Sequence, residues 1–147
     1  GMAKSKTVAE SQADFGQRIV CAQQVFAHFA DRLGIAPDVA MRTASCFGSG
    51  LGRADVCGCV TGALMVLGLA HGHGGACSRA EQRSLYARRD AFTAAFAEAH
   101  NGLLCREILG YDLTVPEQRA LIVEKGLFAS VCAPLVCAAC DMLEGLL

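Results

Sequence analysis

The sequence predicts an all-α fold, a compact single-domain bundle of about six helices. Apolar residues recur three and four positions apart, and no segment alternates convincingly with a period of two. Glycines and prolines divide the chain into segments of helix length. Of the 147 residues, 53% are hydrophobic but only 6% are aromatic, and tryptophan is absent. Small side chains must therefore fill a sizeable core, which favours closely packed helices.

The N-terminal segment is polar and charged, and it differs from the rest of the chain. We expect residues 1–13 to be a flexible tail, with Gly1 before Met2 as a cloning remnant. A single helical domain is then expected over residues 14–147.

Apolar periodicity and helix-end signals define the elements of this domain. Gly34 ends the first helix, and Pro37 and Pro116 are suited to the first positions of later helices. Asp55 is expected to cap the third helix. The predicted helices cover residues 15–33, 37–47, 56–70, 79–100, 116–125 and 134–147, with one or two further helical turns at 103–109.

Charge and hydropathy exclude several classes of partner. The net charge is −1 and the basic residues do not run together, so a nucleic-acid or anionic-membrane surface is not supported. The longest apolar run, near residues 60–70, is too short to span a bilayer, so we expect no membrane insertion. The N-terminus has no apolar stretch typical of a signal peptide, which predicts a cytoplasmic protein.

Cysteine is the residue that points to chemistry. Nine cysteines are far more than ordinary usage, and an odd number cannot pair completely within one chain. In a reducing cytoplasm a framework of structural disulfides is not expected. Metal binding, redox chemistry and simple burial remain. Hydrolase motifs such as Gly-x-Ser-x-Gly and His-Glu-x-x-His are absent.

Four cysteines stand in an ordered pattern. Cys21 lies in Val-Cys-Ala, Cys57 follows Gly-Leu-Gly-Arg and precedes Gly58, Cys105 begins Cys-Arg-Glu-Ile-Leu-Gly, and Cys132 lies in Val-Cys-Ala-Pro. The chain after the tail resembles the redox-active family named for its cysteine pattern, C_GCAxxG_C_C. The resemblance implies that these four cysteines act together in a redox role. At one position the chain departs from the family, which has alanine where this sequence has cysteine, two residues after Cys57.

The resemblance also suggests cofactors. A related domain is similar to part of the split-Soret cytochromes, where an iron–sulfur site accompanies the haems, so an iron–sulfur cluster is implied by analogy. This chain has no Cys-x-x-Cys-His haem attachment motif. Four thiolates can also hold an iron or zinc ion. Without metal, the four cysteines would carry out electron transfer by reversible thiol–disulfide exchange. A partner protein would exchange the electrons, and a homodimer is compatible with the small-residue helices.

Three alternatives remain open from the residues alone. The cysteines can form a structural zinc or metal-binding site with no redox turnover. The protein can be an enzyme with one nucleophilic cysteine, for which Cys57 is the best candidate. It can also be a helical interaction module in which the cysteines are inert core residues.

The long spacing between the four cysteines requires the tertiary fold to bring them together in the interior. Cys57 is expected in the first turn of the third helix, where the helix dipole and nearby Arg53 lower its pKa. The glycine-rich turn before it, with Gly50 and Gly52, allows backbone N–H groups to approach the sulfurs or a bound anion. Cys132, just before a proline-initiated helix, is expected in another electropositive position.

The remaining cysteines are assigned mainly to packing. In a regular helix Cys59 points about 200° away from Cys57, which predicts a core residue outside the shared site. Cys137 and Cys140 share one face of the last helix, which favours core packing, although they could supply a resolving thiol. Cys46 is expected in the core. A second metal site is possible in the glycine-rich loop, but a solvated loop is favoured for its candidate ligands, His71, His73 and Cys77.

Overall fold

The computed structural model describes residues 5–147, and within them the chain is helical with no β-strands. The all-α prediction is confirmed, and six was an approximate count. The α-helices are α1 (Val8–Gly16), α2 (Cys21–Ala30), α3 (Pro37–Thr43), α4 (Gly58–His71), α5 (Arg79–His100), α6 (Cys105–Leu109), α7 (Pro116–Glu124) and α8 (Ala133–Glu144). A 3₁₀ turn, Asp31–Leu33, follows α2, and two wider helical turns cover Gly50–Ala54 and Phe128–Cys132.

The first predicted helix is two helices with a break between them. The side chain of Thr7 caps α1 and forms a reciprocal capping box with Glu10. Residues 8–13, expected to belong to a flexible tail, are therefore helical, while residues 1–4 of that expected tail lie outside the described residues. After α1 the chain turns through Arg18, whose φ is +64°. Cys21 consequently becomes the first residue of α2 rather than a residue in mid-helix.

Two buried polar side chains fasten this break. Ser11 Oγ donates a hydrogen bond of 2.6 Å to Gln24 Oε1, and Gln24 Nε2 donates one of 2.9 Å to the carbonyl of Ile19. Both side chains are buried, so these bonds satisfy groups that would otherwise be costly to remove from water. The start of α2 is thus tied to α1.

The core forms around α2 and α4, with α5 and α8 packed against them. Its largest fully buried side chains include Phe29, Leu67, Phe92, Phe96 and Leu143. Burial of each such side chain contributes about 1.5–3 kcal/mol. Many of the other core residues are alanine and cysteine, as the composition predicts, and Gly58 and Gly62 of α4 are also buried. These small residues allow the helix axes to come close together.

The start of α4 is set by a neighbouring segment, not by Asp55. The Cys57 N–H donates to Leu103 O at 2.8 Å, and the Cys105 N–H donates to Asp55 O at 2.8 Å. This short antiparallel bridge keeps Cys57 extended, with φ −57° and ψ 137°, and α4 begins only at Gly58. The predicted Asp55 cap is therefore wrong, and Cys57 itself is the N-cap residue.

The N-terminus of the last helix, α8, is continuous with the helical turn before it. The turn Phe128–Cys132 continues directly into α8, and Cys132 has right-handed helical φ and ψ. The predicted electropositive helix start at Cys132 is therefore not formed, because the preceding turn supplies carbonyl groups to the N–H groups of α8.

Within residues 5–147, no single helix is both long and apolar enough to cross a membrane. Only α7 taken together with Phe128–Glu144 meets the length and composition required, and these two segments are bent by 69° to each other.

Candidate redox site

Five cysteine side chains meet between the N-terminal ends of α2, α4 and α6 and the start of α8. We call this group the thiol cluster: Cys21, Cys57, Cys59, Cys105 and Cys132. Cys57 is at its centre, with hydrogen-bonding contacts to Cys21, Cys59 and Cys105. Cys21 also contacts Cys59 and Cys132. The structure thus brings together all four cysteines of the ordered sequence pattern, and it adds a fifth.

Two backbone features hold the cluster together. The antiparallel bridge between residues 55–57 and 103–105 places Cys57 beside Cys105. Close packing of α4 on α2 places Cys21 beside them. A Cβ added at Gly58 would lie 2.9 Å from Cys21 Cβ, and one added at Gly62 would lie 2.8 Å from Ala22 O. Only glycine at these two positions lets the helices approach this closely.

The glycine-rich turn before Cys57 supports the bridge. Gly50 has a φ of +57°, and a Cβ there would lie 2.4 Å from the Asp55 nitrogen. Its carbonyl accepts a hydrogen bond of 3.0 Å from the Asp55 N–H. Arg106 Nη1 donates to Ala54 O at 3.1 Å, which fastens α6 to the same turn. The turn therefore fixes the direction in which the chain enters Cys57.

The neighbouring thiols stabilise Cys57 as a thiolate. Hydrogen bonds from Cys105, Cys21 and Cys59 hold the pKa of Cys57 well below its ordinary value, against the opposing effect of burial. Cys57 also stands at the N-terminus of α4, where backbone N–H groups are free of helical partners. A buried cysteine whose neighbouring thiols favour its ionised form is the chemically distinctive group of this protein.

Three of the thiols that contact Cys57 have raised pKa values. Hydrogen bonds to Cys132, Cys57 and Cys59, together with burial, raise the pKa of Cys21. The contact with Cys57, followed by burial, raises the pKa of Cys105. For Cys59 the contact with Cys21 lowers the pKa, but the contact with Cys57 and burial outweigh it and the net shift is upward. Negative charge is therefore favoured at Cys57 over these three neighbours.

Cys59 is the main correction to the sequence interpretation. The prediction that it points away from Cys57 assumed that both residues are helical. Because Cys57 is extended and α4 starts at Gly58, Cys59 lies in the first turn and contacts both Cys57 and Cys21. It is fully buried, as expected, but it belongs to the thiol cluster.

A cavity of about 240 Å³ opens onto one side of the cluster, and we call it the thiol cavity. Cys21, Cys105 and Cys132 line it, whereas Cys57 and Cys59 are not among its lining residues. Cys105 and Cys132 are 8% and 7% exposed, compared with 3% for Cys57 and 0% for Cys59. A molecule in the cavity would therefore meet Cys21, Cys105 or Cys132 first, with the thiolate behind them.

Other residues predicted near the site have different positions. Gly52 lines a second, open cavity of about 450 Å³ beside the thiol cavity. Arg53 is exposed and, within the described part of the chain, does not line either cavity. Cys46 is exposed at the open cavity, so its predicted core position is wrong.

The two remaining candidate groups lie away from the cluster. Cys140 is buried in the core and Cys137 is half-buried, consistent with the packing interpretation. His71 bonds to the carbonyl of Leu146 at 3.0 Å, and His73 lies 3.7 Å from Glu81. Cys77 is exposed.

The arrangement of the sulfurs bears on metal binding. Thiolates are suitable ligands for zinc and for iron–sulfur clusters. Across residues 5–147, however, no group of three or more His, Cys, Asp or Glu side chains has an arrangement that could hold a metal ion. The cluster has the donor chemistry for a metal but not a preformed ligand set. All nine cysteines, which lie within the described residues, are free thiols.

Sequence reasoning missed Cys59 and the residues that line the thiol cavity beside the cysteines. The extended conformation of Cys57 depends on the distant segment 103–105, so local sequence gives no signal of it. Arg18 and Phe128 reach the cavity because of the break after α1 and the turn before α8. Gly16 ends α1, and Gly126 and Pro134 flank the turn before α8, but these residues alone do not show where the chain goes next.

Comparison with known proteins gives one match. The family model described as "Putative redox-active protein (C_GCAxxG_C_C)" covers residues 19–146. No curated protein and no solved structure shows significant similarity to the chain. The matched region includes every residue of the thiol cluster and nearly all of the helical core. The chain therefore belongs to the C_GCAxxG_C_C family of redox-active proteins.

Proposed function

We propose that this protein transfers electrons by reversible dithiol–disulfide chemistry at the thiol cluster, in the cytoplasm, with Cys57 and Cys105 as the redox pair. One observation supports this above others: the bridge between residues 55–57 and 103–105 holds buried Cys57 beside Cys105, and Cys105 lines the thiol cavity. A thiolate attacks a disulfide sulfur in line, and a second thiol in contact completes the exchange. The pair supplies both groups.

In the first step, Cys105 attacks one sulfur of a disulfide bound in the thiol cavity. Its proton passes along the existing hydrogen bond to Cys57, so the attacking sulfur becomes a thiolate as the new bond forms. The disulfide bond of the substrate breaks, and its second sulfur leaves as a thiolate. That leaving group takes the proton from Cys57, which releases a free thiol and restores the Cys57 thiolate.

In the second step, the Cys57 thiolate attacks Cys105 in the mixed disulfide. A Cys57–Cys105 disulfide forms, and the other half of the substrate leaves as a thiolate. The substrate disulfide has gained two electrons, and the protein dithiol has lost them. The reverse sequence oxidises a dithiol partner, so a partner protein can close the cycle.

Oxidation of the reduced, metal-free protein by a small disulfide tests this proposal. With the exposed Cys46 and Cys77 replaced by serine in every protein tested, we expect two equivalents of thiol per chain, and peptide mass mapping after acid quenching should find Cys57 joined to Cys105. The Cys105→Ser variant should release at most one equivalent of small thiol per chain. The Cys137→Ala variant should release as much as the wild type. Cluster cysteines that remain reduced under these conditions would overturn the proposal.

A second candidate is a metal or iron–sulfur centre, supported by the convergence of five sulfur donors from four parts of the chain. Because the sulfurs are not in a ligand arrangement, metal binding would require them to move. Residues Cys21, Cys57, Cys105 and Cys132 would be the ligands, with iron giving electron transfer and zinc giving structural stability.

Anaerobic purification from iron-replete cells, with metal analysis and visible absorption, separates the two candidates. The dithiol proposal predicts colourless protein with much less than one metal ion per chain. Stoichiometric iron with sulfide-type absorption, lost on Cys→Ser change at the four positions, would favour the cluster. Stoichiometric zinc whose removal unfolds the chain would favour a structural site.

A further inference from the structure

The thiol cavity has a chemical character that extends the proposed function. Its floor is sulfur, from Cys21, Cys105 and Cys132. Its walls are largely apolar, and Phe15 and Phe128 form a stacked aromatic pair in them, with ring centroids 6.4 Å apart. A pocket with apolar walls and a few placed polar groups is the usual form of a small-molecule site.

Two arginines supply the charged groups of this cavity. Arg18 lies in the break between α1 and α2, and Arg119 lies on α7. Both are exposed, and in the described part of the chain neither guanidinium group makes a hydrogen bond or an ion pair. No aspartate or glutamate is among the described lining residues. Among the described lining residues, the two guanidinium groups are therefore the charged side chains of the cavity, and both are positive.

The position of Arg119 extends this charge to the neighbouring cavity. The open cavity shares Val20, Ser49, Leu113 and Arg119 with the thiol cavity, so the two are contiguous. A ligand with one end near the sulfurs could place a second end in the open cavity and still contact Arg119. Guanidinium groups bind carboxylates through paired, charge-assisted hydrogen bonds.

The size of the cavity limits the ligand. About 240 Å³ is below the usual range for drug-sized ligands, and of the cysteines at its floor Cys105 and Cys132 are buried and Cys21 is half-buried. A disulfide on the surface of a folded protein could reach them only if it stood on a protruding segment. A small organic disulfide can enter without such a requirement.

We infer that the substrate of the thiol cluster is a small organic disulfide that carries carboxylate groups, with Arg18 and Arg119 binding the carboxylates while the sulfur–sulfur bond faces Cys105. The inference rests on the proposed function and follows its two steps. The substrate disulfide is reduced to two thiols, and Cys57 and Cys105 are oxidised to a disulfide. The arginines also offset repulsion between an anionic substrate and the Cys57 thiolate.

Three alkyl disulfides of similar length test the charge preference: anionic 3,3′-dithiodipropionate, neutral 2-hydroxyethyl disulfide and cationic cystamine. We expect the anionic compound to oxidise the reduced protein at least about tenfold faster than the neutral one, with cystamine slowest. Arg18→Gln and Arg119→Gln should each reduce the rate with the anionic compound about fivefold and leave the neutral one nearly unchanged. Arg83→Gln, an exposed arginine on α5 away from the cavity, is the matched control. Equal rates for all three disulfides, or a preference for cystamine, would overturn the inference.

A binding experiment gives a readout that does not depend on turnover. Suberate has the length and charges of dithiodipropionate with a carbon–carbon bond in place of the disulfide. It should protect Cys105 from iodoacetamide in a saturable way, whereas neutral octane-1,8-diol should not. Arg18→Gln and Arg119→Gln should weaken this protection at least about fivefold. If no disulfide reacts but suberate still protects, the anion site stands and the proposed redox function fails. Suberate protection that is absent, or equal in the arginine variants, would overturn the site.

Discussion

Cys137 and Cys140 on α8 have the Cys-x-x-Cys spacing often associated with redox motifs, yet they differ from the thiol cluster in their surroundings. Burial raises the pKa of Cys140 to about 12, and burial likewise raises the pKa of Cys137. Cys57 is also buried, and burial acts on it in the same direction. In the cluster, however, three thiols donate hydrogen bonds to Cys57 and reverse the shift.

The difference shows that reactivity depends on tertiary contacts more than on spacing along the chain. Two cysteines on one helical face share a direction, but the charge of Lys6, which favours their thiolates, does not outweigh burial. In the cluster, separate parts of the chain supply donors around one acceptor, and the backbone bridge between residues 55–57 and 103–105 holds two of them together. Substitutions in the thiol cluster should therefore change reactivity, whereas substitutions at Cys137 should not.

The largest effect is expected from removing the thiolate. Cys57→Ser should slow reduction of a small disulfide at least about a hundredfold, because a hydroxyl is not ionised at neutral pH and cannot resolve the mixed disulfide. Cys137→Ala should retain wild-type rates. Stopped-flow measurement of thiol release checks this, and a wild-type rate in Cys57→Ser would place the chemistry elsewhere.

A backbone change should disturb the cluster without touching a sulfur. Gly58→Ala introduces a Cβ that meets Cys21 Cβ and the Ala22 nitrogen, both at 2.9 Å, and should lower the free energy of unfolding by about 1–3 kcal/mol. On the same helix, Gly68 has open space around it, so Gly68→Ala should raise that free energy by about 0.5–1 kcal/mol. Urea unfolding of the reduced proteins measures both changes. A loss of stability in both variants, or in neither, would contradict the close packing of α4 on α2.

The pH dependence of stability should report the thiolate. The folded pKa of Cys57 lies below the ordinary value of 9.0, so its contribution is fully present above pH 9 and is lost as pH falls through the folded pKa. The difference in unfolding free energy between wild type and Cys57→Ser should therefore grow with pH up to 9, by at most about 1.4 kcal/mol per pH unit.

Above pH 9 the neighbouring thiols reverse the trend. Cys21, Cys59, Cys105 and Cys140 have raised folded pKa values, so they favour the folded state fully below pH 9 and less as pH rises further. Urea titrations under anaerobic conditions would follow both limbs. A wild-type stability that falls steadily between pH 6 and 9, relative to Cys57→Ser, would contradict the assignment.

The smallest effect is expected at the cysteine that departs from the family pattern. Cys59→Ala removes one of three donors to Cys57 and leaves Cys105 and Cys21 in place. The pKa of Cys57 should rise slightly, and disulfide reduction at neutral pH should slow about two- to threefold. The pH–rate profile checks this, and a loss as large as that of Cys57→Ser would make Cys59 a redox partner rather than a donor.

Local sequence was sufficient for most of the fold but not for the details of the site. The bounds of α5, and the ends at Gly34 and Gly110, follow from periodicity and helix-end residues. The resemblance to the C_GCAxxG_C_C family, rather than local sequence, identified four members of the cluster: Cys21, Cys57, Cys105 and Cys132. Contacts between distant segments determine the other details of the site. The bridge between residues 55–57 and 103–105 makes α4 begin only at Gly58 and so brings Cys59 into the cluster, and the break after α1 places Arg18 at the cavity.

Titration of thiolate ultraviolet absorbance in the reduced, metal-free protein tests most directly whether Cys57 is held as a thiolate by its neighbours. We predict one ionisation clearly below the ordinary thiol value of 9.0 that disappears in Cys57→Ser and persists in Cys137→Ala. The pKa of this ionisation should rise in the Cys105→Ala variant, which lacks the strongest hydrogen-bond donor to Cys57. An ionisation near 9.0 or above for every cysteine, or a low one that survives Cys57→Ser, would contradict the account.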